Sequence, residues 1–401
     1  MKEMDYGPET YAVNGGLPLN TQHGAIAPDI SMSVNNIYDP NFGDFSAKGM
    51  DDLTTAPFVY AGWSNPTVRQ LENKLSVLEK TEDTLVTASG MAAISGTLLS
   101  LLKAGDHIIL SDVIYAAVSE FVRDALPGYG IDVSVVNLTR PDELEQAIKP
   151  NTKIVYAETP CNPLLRLTDI HAVSLVTKKR GLLFCVDSTF ATPAATCPSQ
   201  LGADLVIHSL TKFINGHGDA MGGSVSGSHL LIAKIRAHAG VYLGASLPAH
   251  SAWLIMRGAD TFYPRMKTLS DSALEIARWL EKHPKVKRVN YPGLPSHPQY
   301  ELARQQMDLF GGIISFQVTE PSQILHRFLN EAKLFLHAFS IGHQRSLVVY
   351  LDSDELIKTS YSFTDQQEKD YREMAGEGVF RLSIGLERTD DLLAELDTVL
   401  A

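Results

Sequence analysis

The sequence predicts an α/β protein with a mostly parallel central sheet and helices on both of its faces. Between about residues 84 and 209, six short apolar runs of strand length alternate with longer stretches of helical periodicity. Such alternation is typical of βαβ units, in which a helix connects successive parallel strands. The pattern changes near residue 255, which predicts a smaller C-terminal α+β domain.

Composition and charge narrow the class of protein. The chain has 401 residues, of which 44% are hydrophobic and 20% are charged, as in globular proteins of the cytoplasm. Its 46 acidic and 34 basic residues give a net charge of −12, which argues against nucleic acids and anionic membranes as partners. Neither a transmembrane run nor a signal peptide is expected. Three cysteines without metal-site spacing are typical of reduced thiols in a cytoplasmic protein.

The N-terminal segment 1–59 is predicted to be an irregular arm, because no hydrophobic period is sustained along it. Apolar residues such as Ile26 are too frequent for a free tail, so we expect the arm to contact a neighbouring subunit of an oligomer. A helix is predicted next, from Asn65 to Leu78. Asn65 is a suitable N-cap, and Pro66 is favoured at the first helical position.

Two domains are predicted after the arm, a larger one over 60–254 and a smaller one over 255–401. The strands predicted in the larger domain are Thr84–Ala88, His107–Ser111, Val133–Leu138, Ile154–Glu158, Leu182–Asp187 and Leu205–Ser209. The helices predicted between them include Met91–Leu102, Val113–Ala125 and Pro141–Ile148. In the smaller domain, the hydrophobic period predicts an amphipathic helix over Asp271–His283.

Polar residues collect where the predicted strands end, which is the edge at which parallel sheets carry their binding sites. The first strand runs into Ser89-Gly-Met91, a turn that opens a helix and whose free N–H groups suit a phosphate. Later strands end in Glu158, in Asp187 and in Ser209, which is followed by Thr211-Lys212. A phosphate cradle, a carboxylate, hydroxyls and an amine together fit one cofactor, pyridoxal phosphate.

Pyridoxal phosphate needs a lysine for a Schiff base and an acidic group at its pyridine nitrogen. We assign the first role to Lys212 and the second to Asp187, since a carboxylate keeps that nitrogen protonated. Tyr115 would stack on the ring, and Asn162 would hydrogen-bond the ring hydroxyl. The residues of the larger domain that are predicted to bind the cofactor are Ser89, Gly90, Met91, Tyr115, Asn162, Asp187, Thr189, Ser209, Thr211 and Lys212.

Each of these residues has a simpler explanation when it is taken alone. A lysine after a strand is usually a solvated surface group, and an aspartate there often caps a helix. The segment Asn215-Gly-His-Gly-Asp219 suggests a metal, but one histidine and one aspartate are not a ligand set, so no metal is expected. The cofactor hypothesis depends on four strand ends that supply complementary chemistry.

These residues lie in segments that resemble the transsulfuration (Cys/Met metabolism) family of fold-type I pyridoxal-phosphate enzymes. That family includes methionine γ-lyase, cystathionine γ-lyase, cystathionine γ-synthase and O-acetylhomoserine sulfhydrylase. The resemblance extends from about residue 20 to the C-terminus, and Tyr291–Gly312 is most similar to methionine γ-lyases. The segments that carry it are Tyr60–Thr67, Ala88–Met91, Glu158–Pro163, Val186–Phe190, His208–Lys212, Gly216–Asp219, Met256–Gly258, Tyr291–Gly293 and Arg381–Glu387.

The resemblance implies the fold-type I transferase fold and assigns roles to the matching residues. Lys212 would also move protons on the substrate, and Tyr115 would be the acid for the leaving group. Arg381 would bind the substrate carboxylate, with Ser340 and Asn162 beside it. Such enzymes are usually homotetramers, built as dimers of dimers with shared active sites.

The chain departs from the family pattern near the expected site. Gly62 stands where the family has an arginine that binds the phosphate of the neighbouring subunit, a phosphate that Tyr60 would also reach. Ala116-Ala117 replace the Gly-Cys of methionine γ-lyases. The loop Ser340-Ile-Gly-His-Gln-Arg-Ser-Leu347 differs from the family pattern Ser-Leu-Gly-x-x-Glu-Ser-Leu, and Arg345 has no assigned role. The part of the site that would receive the distal end of the substrate therefore differs from that of the common family members, and the pattern does not identify the substrate.

The resemblance implies chemistry at Cγ of a four-carbon amino acid. γ-Elimination from methionine, homocysteine, cystathionine or canavanine would yield an α-keto acid and ammonia. The alternative is γ-replacement on O-acetyl- or O-succinylhomoserine, as in a sulfhydrylase or a cystathionine γ-synthase. A remote alternative is a catalytically silent cofactor-binding protein, which the missing arginine suggests and the retained Lys212, Asp187, Tyr115 and Arg381 oppose.

Overall fold

The computed structural model describes residues 6–15, 24–39 and 52–401, which fold around a seven-stranded and a five-stranded sheet. The larger sheet consists of β1 (Asp83–Thr87), β2 (His107–Ser111), β3 (Asp132–Val136), β4 (Thr152–Glu158), β5 (Leu183–Asp187), β6 (Leu205–Ser209) and β7 (Gly223–Gly227). Across the sheet the order is β1-β7-β6-β5-β4-β2-β3. The neighbours from β6 to β3 are parallel, and β7 is antiparallel to β1 and β6. The predicted mostly parallel sheet is confirmed.

All six predicted strands form, but the sequence analysis missed β7. This strand reads Gly-Ser-Val-Ser-Gly and is buried along its whole length between β1 and β6. Glycine and serine carry no hydrophobic period and are uncommon in strands. The small residues are needed because a Cβ atom at Gly223 would overlap the backbone carbonyl of Ser89. The small residues of this strand are explained by close packing against other parts of the chain, which a local sequence pattern does not reveal.

Helices cover both faces of the large sheet, as predicted. Those that precede the second sheet are α1 (Pro8–Asn14), α2 (Pro66–Glu79), α3 (Gly90–Leu101), α4 (Ala116–Glu120), α5 (Pro141–Ala147), α6 (Ile170–Arg180), α7 (Thr192–Ala195), α8 (His229–Ile235), α9 (Ala249–Asp260) and α10 (Phe262–Leu280). The Asn65 side chain caps α2 by accepting from the N–H groups of Thr67 and Val68. The helix predicted over 113–125 begins later, at Ala116, and ends in a π-helical turn.

The arm is not wholly irregular, which corrects the prediction for 1–59. Its residues 1–5, 16–23 and 40–51 lie outside the described ranges, but α1 is a regular helix. The ammonium group of Lys74 in α2 donates to the carbonyl of Ala12 at 2.8 Å and pairs with Asp260 at 2.5 Å. A buried cation from a distant helix thus stabilises the C-terminal end of α1, a contact that the local sequence does not reveal.

The second sheet forms the core of the C-terminal part of the chain. Its strands are β8 (Val286–Asn290), β9 (Ile313–Val318), β10 (Leu336–His337), β11 (Leu347–Asp352) and β12 (Gly378–Ser383), in the order β10-β11-β12-β9-β8. The accompanying helices are α11 (Tyr300–Gln306), α12 (Pro321–Asn330), α13 (Ser353–Thr359), α14 (Asp365–Ala375) and α15 (Thr389–Leu400). The helix predicted over Asp271–His283 is the second half of α10. No helix in the described ranges combines the length and apolar character needed to cross a membrane.

The strands of the large sheet are buried on both faces. In β2, Ile108 and Leu110 belong to one hydrophobic cluster, whereas Ile109 between them belongs to another on the opposite face. Strands buried in this way are continuous apolar runs, so polar side chains are displaced to the strand ends. The carboxyl ends of β1, β2, β4, β5 and β6 share one edge, and the site residues follow them.

Candidate active site

β1 runs directly into the first turn of α3, which lies beside Ser209 at the end of β6. Ser89 caps α3 by accepting from the N–H of Ala92 at 3.1 Å. No described residue accepts from the N–H groups of Gly90 or Met91, which point outward from the first turn. A Cβ atom at Gly90 would lie 3.0 Å from the hydroxyl oxygen of Ser209, so only glycine lets this backbone approach the hydroxyl. Helix N–H groups and a hydroxyl fit a phosphate.

Asp187 lies at the end of β5 and is only 5% exposed. Its Oδ1 atom accepts from the N–H of Thr189 at 2.9 Å, and its Oδ2 atom accepts from the hydroxyl of Tyr156 at 3.3 Å. Burial raises the pKa of the Asp187 carboxyl. A buried carboxylate of this kind is stabilised by a cation beside it, and a protonated pyridine nitrogen is such a cation.

Thr189 connects the ends of two strands. Its hydroxyl oxygen accepts from the N–H of Ser209 at 2.9 Å, which fixes the end of β6 relative to β5. Thr211 exchanges hydrogen bonds with Gly222, whose N–H lies 3.1 Å from the threonine hydroxyl. Both threonines, which were predicted to bind the cofactor, therefore also hold the backbone that carries Ser209.

Lys212 projects from the end of β6 toward the C-terminal part of the chain. Its Nζ atom donates to the hydroxyl of Ser340 at 2.9 Å. Burial, and to a lesser extent the positive charge of Arg381, lowers the pKa of the lysine amine. A lowered pKa increases the fraction of neutral amine, which is the nucleophilic and basic form. The sequence analysis expected an amine at this position, and the structure gives it a suitable environment.

Arg381, in β12, is buried beside the lysine. Its Nη1 atom donates to Oδ1 of Asn162 at 2.7 Å, and its Nη2 atom donates to the carbonyl of Ser340 at 3.3 Å. Burial lowers the pKa of Arg381 to about 10, although Glu158 partly offsets this effect. The predicted proximity of Arg381, Ser340 and Asn162 is present in the structure.

Glu158 is a site residue whose role the sequence analysis missed. Its Oε2 atom accepts from the N–H of Tyr115 at 2.8 Å, and its Oε1 atom accepts from the N–H of Asn162 at 2.6 Å. Burial, with the negative charge of Asp187, raises the pKa of Glu158 to about 8. A carboxylate at the end of a strand next to Asp187 was visible in the sequence, but its two hydrogen bonds were not.

Tyr60 and Gly62 lie together shortly before α2. A Cβ atom at Gly62 would lie 2.5 Å from the Tyr60 ring, so the tyrosine occupies the space where a longer side chain would begin. The Tyr60 side chain is 43% exposed. Its predicted contact with a phosphate in a neighbouring subunit stays a prediction.

A cavity of about 330 Å³ opens beside Ser340. Residues that line it include Thr211, Asp219, Met221, Ser340 and His343. The His343 ring packs against the backbone of Gly218, which joins the loop after Lys212 to the loop after Ser340. The volume suits the side chain of a small amino acid, and it is adjacent to the Lys212–Ser340 hydrogen bond.

Comparison with known proteins agrees with this geometry. Residues 9–401 match the family described as Cys/Met metabolism PLP-dependent enzyme. L-Methionine gamma-lyase of Fusobacterium nucleatum subsp. polymorphum is 38% identical, over 99% of this chain and 98% of that protein. Canavanine gamma-lyase of Pseudomonas canavaninivorans is 37% identical, over 98% of this chain and 95% of that protein. The crystal structure of cystathionine gamma synthase from Xanthomonas oryzae pv. oryzae matches with a TM-score of 0.88 and 32% identity, over 99% of this chain and 98% of that one.

Proposed function

Because the chain belongs to the Cys/Met metabolism family of pyridoxal-phosphate-dependent enzymes, we propose that it catalyses γ-elimination from an amino acid of the homoserine type. The Cγ–X bond, where X is sulfur or oxygen, breaks, and water then releases an α-keto acid and ammonia. Methionine, homocysteine, cystathionine and canavanine are the candidate substrates. The observation that carries the proposal is that Lys212 and Arg381 both bond Ser340, so that a base lies beside a carboxylate site.

When bound, the cofactor would supply an electron sink, and the residues of the chain would hold the cofactor, bind the substrate and move protons. The N–H groups of Gly90 and Met91, with the hydroxyls of Ser209 and Thr211, hold the phosphate. Asp187 keeps the proton on the pyridine nitrogen.

The substrate is held and deprotonated by the remaining groups. Arg381 binds the α-carboxylate, with Asn162 fixing one side of its guanidinium. Reaching Cγ requires proton removal first at Cα and then at Cβ, and one mobile base, Lys212, serves both carbons. Its lowered pKa brings the amine closer to the operating pH. Tyr115 donates a proton to the leaving group.

γ-Replacement is the second candidate. In this reaction the leaving group departs from Cγ, and a thiol then adds at the same carbon. The likeness to a cystathionine gamma synthase supports it, because elimination and replacement use the same base, acid and carboxylate site. The relatives named gamma-lyases match over 98–99% of this chain, whereas a relative named cystathionine gamma-synthase, 40% identical, matches over 84% of it, and the fuller match favours elimination. A catalytically silent protein is disfavoured, because the lysine, carboxylates and arginine converge on one edge.

The proposed assembly is a cytoplasmic homotetramer, a dimer of dimers with shared active sites. The arm 1–59 contributes to the contacts between subunits, the part 60–254 binds the cofactor, and 255–401 completes the substrate site. Exposed apolar side chains support an association through the arm: Ile26 is 90% exposed, Met32 70% and Ile37 102%. Such exposed apolar side chains are expected to be covered by another subunit in the assembly.

The reaction is tested with purified holoenzyme, a panel of amino acids and heavy water. We expect α-keto acid, ammonia and the leaving group in equal amounts, and deuterium at both Cα and Cβ of the amino acid recovered unreacted. Product formation that depends on an added thiol would favour replacement. Exchange at Cα alone, with the amino form of the cofactor accumulating, would indicate a transaminase and contradict the proposal. In Tyr115→Phe, exchange at Cα should persist while leaving-group release slows by roughly 10²- to 10⁴-fold.

Arg381→Lys tests the carboxylate site. A lysine keeps the charge but not the planar fork that matches a carboxylate, so we expect KM to rise and kcat/KM to fall by roughly 10- to 100-fold, the equivalent of about 1.5–3 kcal/mol. The absorption spectrum of the bound cofactor should stay unchanged. Unaltered KM in this variant would move the carboxylate site away from Arg381.

A further inference from the structure

We infer that Glu158 is a positioning residue that holds the leaving-group acid and the carboxylate-binding arginine in one arrangement. One oxygen of this carboxylate accepts from the N–H of Tyr115 at 2.8 Å, and the other accepts from the N–H of Asn162 at 2.6 Å. The Asn162 side chain in turn accepts from Arg381 at 2.7 Å. The inference depends on the proposed function for the roles of Tyr115 and Arg381.

Glu158 acts on Tyr115 through a hydrogen bond to the backbone N–H of that tyrosine. Tyr115 precedes α4 and its side chain is 46% exposed, and no described residue hydrogen-bonds its hydroxyl. The ring direction therefore follows from where the backbone of this residue lies. Tyr361 secures the same turn, since its hydroxyl donates to the carbonyl of Ile114 at 2.9 Å. Glu158 and Tyr361 together leave the tyrosine backbone little freedom.

Glu158 reaches Arg381 through one intermediate residue. The N–H of Asn162 is bonded to Glu158, while the side-chain oxygen of Asn162 is bonded to the guanidinium. The asparagine is thus fixed at both ends, and the guanidinium is fixed in turn. A shift of Glu158 would displace the carboxylate site and the leaving-group acid together.

Two acceptor oxygens are the property that this position requires. Glu158 is 4% exposed and close to the carboxylate of Asp187, and a second carboxylate buried there is destabilising. A glutamine would avoid that cost, but it offers one acceptor oxygen, and its amide would confront an N–H group. Both oxygens of a carboxyl group keep an acceptor lone pair whether the group is ionised or protonated, so a glutamate accepts from both N–H groups at once.

Glu158→Gln is the first test, made on the holoenzyme with the preferred substrate. We expect kcat to fall and KM to rise, with kcat/KM lowered roughly 10- to 100-fold because one buried N–H group loses its acceptor. Glu158→Ala, which loses both bonds, should be lower still. The matched control is Glu395→Gln, in which a carboxylate that accepts from the N–H groups of Lys333, Leu334 and Phe335 is altered away from the site. The control should lose thermal stability and keep its kinetics.

Two further measurements separate this inference from the proposed function. The visible circular dichroism of the bound cofactor reports the stacking of Tyr115, and the Kd for glycine, from the absorbance change, reports the carboxylate site. We expect Glu158→Gln to weaken the dichroism and to raise the Kd for glycine several-fold, whatever reaction the enzyme catalyses. Unchanged dichroism, Kd and kinetics would overturn the inference, as would a loss of stability alone. If Glu158→Gln does not fold, Glu158→Asp, which retracts both oxygens, must show the same changes.

Discussion

Lys212→Ala is expected to lower turnover by roughly 10²- to 10⁴-fold, the range for the loss of a general base, and to leave pyridoxal phosphate bound without a covalent link. The amine is the only described lysine nitrogen that donates to a residue of the proposed carboxylate site, through Ser340. Purified wild-type protein should be yellow, and borohydride followed by peptide mapping should label Lys212.

Lys234→Ala is the control for this experiment. Lys234 is an exposed lysine in α8, outside the proposed site, so the variant should keep both colour and turnover. An added small amine should restore part of the activity of Lys212→Ala, because it supplies the missing base. A colourless wild-type protein, or a label on another lysine, would contradict the assignment.

Asp187→Asn is expected to lower turnover by roughly 10²- to 10⁴-fold, the equivalent of about 3–5 kcal/mol for removing one partner of a buried ion pair. Asparagine keeps the shape and can still accept from the N–H of Thr189, so the fold should persist. It cannot hold a proton on the pyridine nitrogen. The absorption spectrum of the cofactor should shift toward that of the unprotonated ring.

The same variant should have the opposite effect on the apoprotein. Burial raises the pKa of Asp187, so the unfolded chain loses this proton at a lower pH than the folded one. The carboxyl therefore costs stability as the pH rises above its ordinary value, and Asn removes that cost. We expect the apoprotein of Asp187→Asn to melt higher than wild type at neutral pH, with the difference shrinking as the pH falls. An equal Tm of the two apoproteins at neutral pH would show that the carboxylate is already compensated by the protein.

Local sequence patterns were sufficient to predict the elements that depend on neighbours along the chain. The strands β1 to β6 are apolar runs that end in polar residues, and the hydrophobic effect acts on such runs wherever they are placed. Asn65 caps α2 and Ser89 caps α3 through hydrogen bonds that span only two or three residues. Because parallel strands end at one edge, the grouping of Asp187, Ser209 and Lys212 also followed from the sequence.

The tertiary structure alone decided the contacts between distant parts of the chain. Only folding brings Arg381 to Asn162, which lies 219 positions earlier, and inserts a strand of glycine and serine between β1 and β6. The hydrogen bond that Glu158 accepts from the N–H of Tyr115 also depends on a turn 43 positions away. Such contacts depend on shape complementarity and on the pairing of buried polar groups, and neither leaves a periodic trace in the sequence.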